Sequence, residues 1–330
     1  MNRYFSYKKS LQKYINKRSC LKSYFNSTEE PTEMYEYIMS LINDDTFVIP
    51  IIFLTIVNSQ NKKYNISMQS YYSASAIMFY CVISKFINQE KQMIKKFGNK
   101  IFYETINNLV SCATYSINQN MKIIKTNNHK NILDMYINLM HIHCRLVNTN
   151  YLLKTIDLSD IQDLSLGLGI NTKNNDLVKW YTRDISEQIH NFKEIKDEDY
   201  NDYINKTIGS LLELSFTMGW IQGGGKLNEI NSIKNISRYF AMMYKISIDF
   251  ENLENDLEVT NAISHNYIIN YGIQNSYNTY IENKYQFIEK CMNEEIYTNT
   301  MQEMVFLVDK IITQQINNIS PDIMSSMSNS

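Results

Sequence analysis

No proline occurs between Pro50 and Pro321, and the whole chain of 330 residues contains only 3 prolines and 9 glycines. Sheets and sandwiches need frequent tight turns, which are built mainly on these two residue types. Proline also blocks a helix, because it fixes φ and removes a backbone donor. Such a long stretch without proline predicts an all-α fold, in which long helices are joined by turns rich in Asn and Lys.

Apolar periodicity predicts helices along most of the chain. The predicted helices span 33–43, 47–58, 70–88, 92–120, 129–152, 174–192, 198–222, 227–257, 263–270, 273–291 and 296–317. The spacing is clearest in 198–222, where Leu211, Leu214 and Met218 fall on one helical face. The consecutive glycines 223–225 are expected to end that helix, because glycine favours positive φ and is costly to order.

Charge and cysteine content exclude several classes of protein. The formal net charge of −2 gives no general attraction to nucleic acid. The 5 cysteines are scattered, odd in number and free of any CxxC spacing, which argues against a disulfide framework or a zinc site. The longest apolar stretch, 47–57, is too short to span a bilayer. We therefore expect a cytoplasmic protein without a transmembrane segment.

The first 28 residues form a basic segment. They contain several lysines and arginines, no acidic residue, and partial helical periodicity from residues such as Tyr4 and Leu11. An organelle-targeting sequence, a membrane-surface arm and a basic, partly disordered leader all fit this pattern. The resulting domain prediction is a leader over 1–32, one helical domain over 33–317 and a polar tail over 318–330.

Two consecutive segments carry a family resemblance. GSLLELSFTMGWIQGGG (209–225) and RYFAMMYKISIDFENLENDLE (238–258) resemble the C-terminal half of the all-helical trans-polyprenyl diphosphate synthases. The resemblance covers about 33–317 and is strongest over 198–290. It is closest to the branch found in large DNA viruses, where the phrase GWxxGGG recurs. It implies one isoprenoid-synthase-like domain of ten or more long helices around a central cavity, and pairing into homodimers.

In that family, two aspartate-rich helices bind the magnesium ions that draw off the charge of an ionising diphosphate. Residues 244–252 resemble the second aspartate motif, F-Q-x-x-D-D-x-x-D, with Lys245 at the Q position. Ile248 and Asn252 replace two of its aspartates, and Asp249 remains. Asp249, Asn252 and Asp256 share a helix face, so Asp249 and Asp256 are the candidate ligands of one weakly bound divalent ion. A solvated acidic helix face is the alternative interpretation.

The other family motifs are depleted. Ser84, Lys85 and Phe86 stand where the first aspartate motif is expected. The family's G-K-R-x-R-P, which binds a diphosphate, corresponds to 45–50, where only the proline survives. Lys206 and Thr207 resemble the family's K-T pair, but one extra residue shifts them by about 100° around the helix.

Three functional interpretations follow. The preferred one is a degenerate, non-catalytic polyprenyl synthetase homologue that acts as a binding or regulatory subunit. It pairs with itself or with an active synthase, takes a prenyl diphosphate as its candidate ligand, and requires no cofactor unless residual diphosphate binding retains Mg²⁺. The second is an active Mg²⁺-dependent prenyltransferase that condenses isopentenyl and allylic diphosphates. The third is a structural, virion-type helical scaffold. Fold alone does not choose among them.

Overall fold

The computed structural model of the chain describes residues 3–25, 33–44, 47–60, 68–123, 200–201, 204, 208–258 and 266–318. Within these ranges all regular structure is helical, and the α-helices are numbered here in chain order. They are α1 Arg3–Arg18, α2 Leu21–Phe25, α3 Glu33–Asp44, α4 Val48–Gln60, α5 Met68–Asn88, α6 Glu90–Phe97, α7 Asn99–Ile123, α8 Ile208–Gly223, α9 Ile230–Glu258, α10 Tyr267–Tyr271, α11 Ile273–Asn293 and α12 Asn299–Asn318. The predicted all-α fold class is confirmed.

Helix α8 lies at the centre of the described core. It packs against α4, α5 and α9, while α5 packs against α7, and α9 packs against α11 and α12. The sequence predicted a single apolar face for this helix. In the structure Ser215, Thr217 and Gly219 are buried as well, because neighbours cover the helix on several sides. The small and hydroxyl side chains of α8 therefore serve close packing.

Two glycines bring α8 close to α4. A Cβ atom added to Gly219 would lie 3.0 Å from Ile56 Cβ, and one added to Gly223 would lie 2.7 Å from Gln60 Cβ. Larger side chains at these two positions, one helical turn apart, would push the helices apart. Helix α4 itself is buried from Val48 to Val57, so its apolar sequence is explained by the core.

The described ranges contain no single helix with the length and apolar character needed to cross a membrane. The pair α3 and α4 satisfies those requirements only when both helices are combined, and the pair is bent by 55°.

The glycine turn after α8 is held together by Trp220. Helix α8 ends at Gly223, as predicted, and Gly224 adopts a φ of +93°. The Gly225 N–H donates to the Trp220 carbonyl oxygen at 2.8 Å, and the indole Nε1 donates to the Lys226 carbonyl oxygen at 2.9 Å. A Cβ on Gly225 would lie 2.2 Å from the Trp220 ring. The phrase GWxxGGG therefore specifies a turn, because only glycine leaves room for the indole.

The prediction of one helix over 92–120 is wrong. Helix α6 ends at Phe97 and α7 begins at Asn99. Between them Gly98 has a φ of +85°, and its N–H donates to the Ile94 carbonyl oxygen at 2.8 Å. Helical periodicity continues across the break, so the pattern alone did not reveal it.

The N-terminal segment differs from the expected leader. Residues 3–25 form α1 and α2, and α1 packs against α4, α5 and α12. Tyr4, Leu11 and Ile15 are buried along one face, and the Tyr4 N–H donates to Glu303 Oε2 at 3.0 Å. Between the basic residues of α1 runs an apolar stripe, and this stripe packs on the core. The predicted helices 129–152 and 174–192 and residues 319–330 of the predicted tail lie outside the described residues.

Candidate functional site

Asp249, the aspartate retained from the second motif, is buried on α9 in an ion pair. Its side chain is 5% exposed, and that of Lys245, one helical turn earlier, is 14% exposed. The Lys245 ammonium group donates to both carboxylate oxygens, at 2.6 Å for Oδ2. A buried carboxylate is costly unless it is paired and hydrogen-bonded. Lys245 supplies that pairing from the same helix.

The segment that begins α10 supplies further hydrogen bonds to Asp249. The Tyr267 N–H donates to Asp249 Oδ2 at 2.8 Å, and the Asn266 side-chain amide donates to the Asp249 carbonyl oxygen at 2.8 Å. Asn266 Oδ1 in turn accepts from the Ile268 N–H at 2.9 Å and caps α10. Asp249 therefore fixes the start of α10 against α9, a structural role that its place in the motif did not indicate.

The remaining predicted site residues do not converge on Asp249 within the described part of the chain. Asn252 is exposed, and Ile248 packs against the core. Asp256 lies in α9, with its side chain outside the described set. Lys206 and Thr207 are outside the described residues too. Of the predicted site residues, the structure brings together Lys245 and Asp249.

The described residues do not fit a magnesium site. Mg²⁺ is bound through oxygen ligands with near-octahedral geometry, usually one or two carboxylates together with substrate phosphates. Both Asp249 oxygens instead accept hydrogen bonds from an ammonium or amide group, and the Lys245 charge balances the carboxylate. Over the described ranges, no three His, Cys, Asp or Glu side chains form a group that would hold a metal ion.

The first-motif position has become part of an aromatic cluster. Phe86, at the C-terminal end of α5, is 1% exposed. Its ring makes an edge contact with Tyr37 of α3, with centroids 5.8 Å apart, and stacks with Phe102 of α7 at 6.4 Å. Phe79 and Tyr80 on the same helix are also fully buried. Aromatic side chains fill this end of α5, where the family resemblance predicts the carboxylates of the first aspartate motif.

The region that corresponds to the family's basic diphosphate-binding motif is likewise apolar. Phe47, Val48 and Ile49 are buried, and the helix α4 begins at Val48. Lys8 of α1 lies over the Phe47 ring, 5.2 Å from its centroid, a cation–π arrangement that packs α1 on the core. Pro50 lies in the first turn of α4, where proline is tolerated. Asp45 and Thr46 are outside the described residues.

A cavity of about 410 Å³ lies between α9, α10 and α11. Its lining includes Tyr200, Tyr239, Tyr267, Tyr271 and Glu282, and Asp249 is not among the lining residues. The Tyr267 and Tyr271 rings lie 4.3 Å apart, and Tyr200 makes edge contacts with both. Spacing along a single helix did not indicate this cavity, because three successive helices and residues 200–201 enclose it together. The Lys245–Asp249 ion pair was not predicted from the sequence, and their i, i+4 spacing is the signal that could have indicated it.

Comparison with known proteins identifies the fold. No protein-family model and no curated protein sequence matches the chain. Among solved structures, an FPP/GFPP synthase from Zymomonas mobilis is similar with a TM-score of 0.61 and 9% identity, over 94% of this chain and 100% of that chain. A geranyltransferase from Helicobacter pylori has a TM-score of 0.61 and 10% identity, over 94% of this chain and 96% of that chain. A geranyltranstransferase from Thermotoga maritima has a TM-score of 0.56 and 10% identity, over 96% of this chain and 99% of that chain. The chain therefore has the isoprenoid-synthase fold of the trans-prenyl diphosphate synthases.

Proposed function

We propose that this chain is a non-catalytic homologue of the trans-polyprenyl diphosphate synthases that acts as a binding or regulatory subunit. The observation that carries the proposal is the Lys245–Asp249 ion pair. At the position of a motif that binds magnesium in the family, the retained carboxylate is neutralised by a lysine of its own helix. The ammonium group of Lys245 thus balances the Asp249 charge that a magnesium ion would otherwise balance.

The losses in the other motifs support the same interpretation. Ionisation of an allylic diphosphate requires several positive charges around the leaving group. Phe86 is buried where the first motif is expected, and Phe47, Val48 and Ile49 are buried where the basic motif is expected. Each loss of about 1.4 kcal/mol of transition-state stabilisation lowers a rate tenfold. Several such losses together are expected to abolish turnover.

A regulatory subunit needs the scaffold and not the metal site. The packing glycines of α8 and the Trp220 turn preserve the scaffold. We propose a homodimer, or a heterodimer with an active synthase, as the working assembly.

A helical scaffold without any small-molecule role is the second candidate. It is favoured by one observation, the complete burial of Phe79, Tyr80 and Phe86 along α5. Aromatic side chains along this helix reduce the space available to a prenyl chain.

A prenyl-transfer assay tests the proposal. Purified protein is incubated with labelled isopentenyl and allylic diphosphates and Mg²⁺, alone and mixed with an active synthase. We expect no chain growth by the protein alone, and a changed rate or product length in the mixture. Chain growth by the protein alone would overturn the proposal. If the rate and product length of the active synthase are unchanged in the mixture, and the protein binds no labelled allylic diphosphate, the second candidate, a helical scaffold without a small-molecule role, is favoured.

A further inference from the structure

The short helix α2 is held along α7. The two helices pack together, and the Asn108 side-chain amide donates to the Tyr24 carbonyl oxygen at 3.4 Å. Cys20 immediately precedes α2, and its carbonyl oxygen accepts hydrogen bonds from the N–H groups of Ser23 at 3.0 Å and Tyr24 at 3.2 Å. Cys20 and Tyr24 thus belong to one tight turn, and Cys112 follows Asn108 by one turn of α7. The two cysteines lie on the two sides of the α2–α7 contact, and a side-chain hydrogen bond joins them.

The two thiols interact and differ in their environment. Cys20 is half-buried, whereas Cys112 is fully buried. The hydrogen bond from the Cys112 thiol lowers the pKa of Cys20, against the opposing effect of burial. The same hydrogen bond, together with burial, raises the pKa of Cys112. Cys20 is therefore the accessible sulfur and the stronger candidate for the thiolate, which is the reactive form in thiol chemistry.

We infer that Cys20 and Cys112 form a reversible disulfide that joins the N-terminal helices to α7. The oxidant is a small-molecule disulfide such as oxidised glutathione. The Cys20 thiolate attacks one sulfur of that disulfide, and the first small thiol leaves. The Cys112 thiol loses its proton and attacks the Cys20 sulfur, which expels the second small thiol. Two protein thiols are oxidised, and one small disulfide is reduced to two thiols.

Such a bond would tie α1 and α2 to the core through a covalent link. Helix α1 packs against α4, α5 and α12, so the link closes a long loop between two parts of the same domain. Disulfides that close long loops stabilise mainly by restricting the unfolded chain. Cys81 and Cys291 are also buried, and Cys144 lies outside the described residues.

Non-reducing peptide mapping tests the inference. The full-length chain is equilibrated with oxidised glutathione, remaining thiols are alkylated, and the protein is digested with trypsin. We expect the peptide of residues 19–22 to be linked to the peptide of residues 101–122, and dithiothreitol to release them. Failure to find this linked pair in the oxidised protein would overturn the inference.

Serine variants separate the two steps. C112S is expected to retain glutathione on Cys20, because the second displacement is missing, and C291S is expected to form the same linked pair as wild type. The thermal midpoint of wild type is expected to rise by several degrees on oxidation, with no rise in C20S. Circular dichroism checks that the variants fold. A wild-type protein that retains glutathione on Cys20, as C112S does, would also contradict the inference.

Discussion

The turn after α8 and the Lys245–Asp249 pair on α9 lie in the same helical hairpin, yet they differ in how they relate to the family resemblance. The phrase GWxxGGG matches the resemblance residue by residue, and the structure explains it by packing and backbone conformation. A Cβ on Gly225 would lie 2.2 Å from the Trp220 ring, and Gly224 has a φ of +93°. At 244–252, by contrast, Lys245, Ile248 and Asn252 differ from the motif that the segment resembles, and Asp249 is an internal anchor.

This difference distinguishes residues that shape the fold from residues at positions that the family resemblance assigns to chemistry. Residues that shape the hairpin have few substitutes, because a glycine at a crowded position has no larger replacement. A metal-binding motif loses its function once one or two ligands change, and a remaining buried carboxylate then needs a new partner. Lys245 is that partner. The packing of this hairpin therefore does not require a complete aspartate motif at 244–252.

The largest expected effect comes from removing that partner. K245M leaves the Asp249 carboxylate buried without its counter-charge, so the free energy of unfolding is expected to fall by about 3–5 kcal/mol. Urea unfolding measures the loss. The matched control is K100M, because Lys100 and Glu104 form an i, i+4 pair on the surface, where about 0.5 kcal/mol is expected. Equal losses in the two variants would show that the buried pair has no structural role. The double variant K245M/D249N is expected to recover most of the stability.

Adding a Cβ atom to the glycine turn is expected to cause the next largest loss in the free energy of unfolding. G225A places a methyl group 2.2 Å from the Trp220 ring, and the resulting strain is expected to cost about 3 kcal/mol. G98A is the control, since Gly98 has a φ of +85° but nothing within 4 Å of an added Cβ. There the backbone strain alone is expected to cost about 1–2 kcal/mol. If G98A destabilised the protein more than G225A, crowding by Trp220 would not explain the turn.

Removal of the indole hydrogen bond has a smaller effect. W220F keeps an aromatic ring in the turn but loses the Nε1 donor to the Lys226 carbonyl oxygen. The expected loss is about 1 kcal/mol in the free energy of unfolding. Y285F, at an exposed tyrosine of α11, serves as a control with no measurable change. A W220F protein as stable as wild type would show that the Nε1 hydrogen bond does not stabilise the turn.

Raising the pH into the alkaline range is expected to lower the free energy of unfolding gradually. Burial, and then its hydrogen bond to Asp309, raise the pKa of Tyr280 above the ordinary value of 10.0, and burial raises the pKa of Tyr14 in the same direction. The folded state keeps these phenols protonated while the unfolded chain ionises. The stabilisation is therefore complete below the unfolded pKa and is lost as the pH rises above it, by at most about 1.4 kcal/mol per pH unit for each tyrosine.

The same urea titration checks this pH dependence in wild type and Y280F. The variant is expected to show a shallower decline in stability at alkaline pH. At neutral pH it lacks the 2.6 Å hydrogen bond from the Tyr280 hydroxyl to Asp309. An identical slope in both proteins would show that Tyr280 does not contribute to the alkaline loss.

The sequence predicted the helices well where periodicity and breakers agree. Helix α4 begins and ends within two residues of the predicted 47–58, and α8 ends at Gly223 as expected. Periodicity failed at Gly98, where the apolar pattern continues through a break, whereas the apolar residues noted in the basic segment, Tyr4 and Leu11, are indeed buried along α1.

The candidate site was harder to predict. The pairing of Asp249 with the N–H of Tyr267 is set by tertiary contact, and so is the packing of Phe86 between Tyr37 and Phe102. Sequence patterns identify residue types and spacing along one helix, and the grouping of Asp249 with Asn252 and Asp256 rested on that spacing alone. They do not show which neighbouring helix completes a hydrogen-bond network.

Binding of Mn²⁺, followed by electron paramagnetic resonance, tests the central claim that Asp249 is committed to Lys245 and unavailable to a metal. Wild-type protein is titrated with Mn²⁺ in the presence of inorganic pyrophosphate, beside the variant K245Q/I248D/N252D, which restores the second family motif. We predict that wild type leaves the Mn²⁺–pyrophosphate signal unchanged, whereas the variant shows a bound fraction. Two or more Mn²⁺ ions bound per wild-type chain would contradict the account.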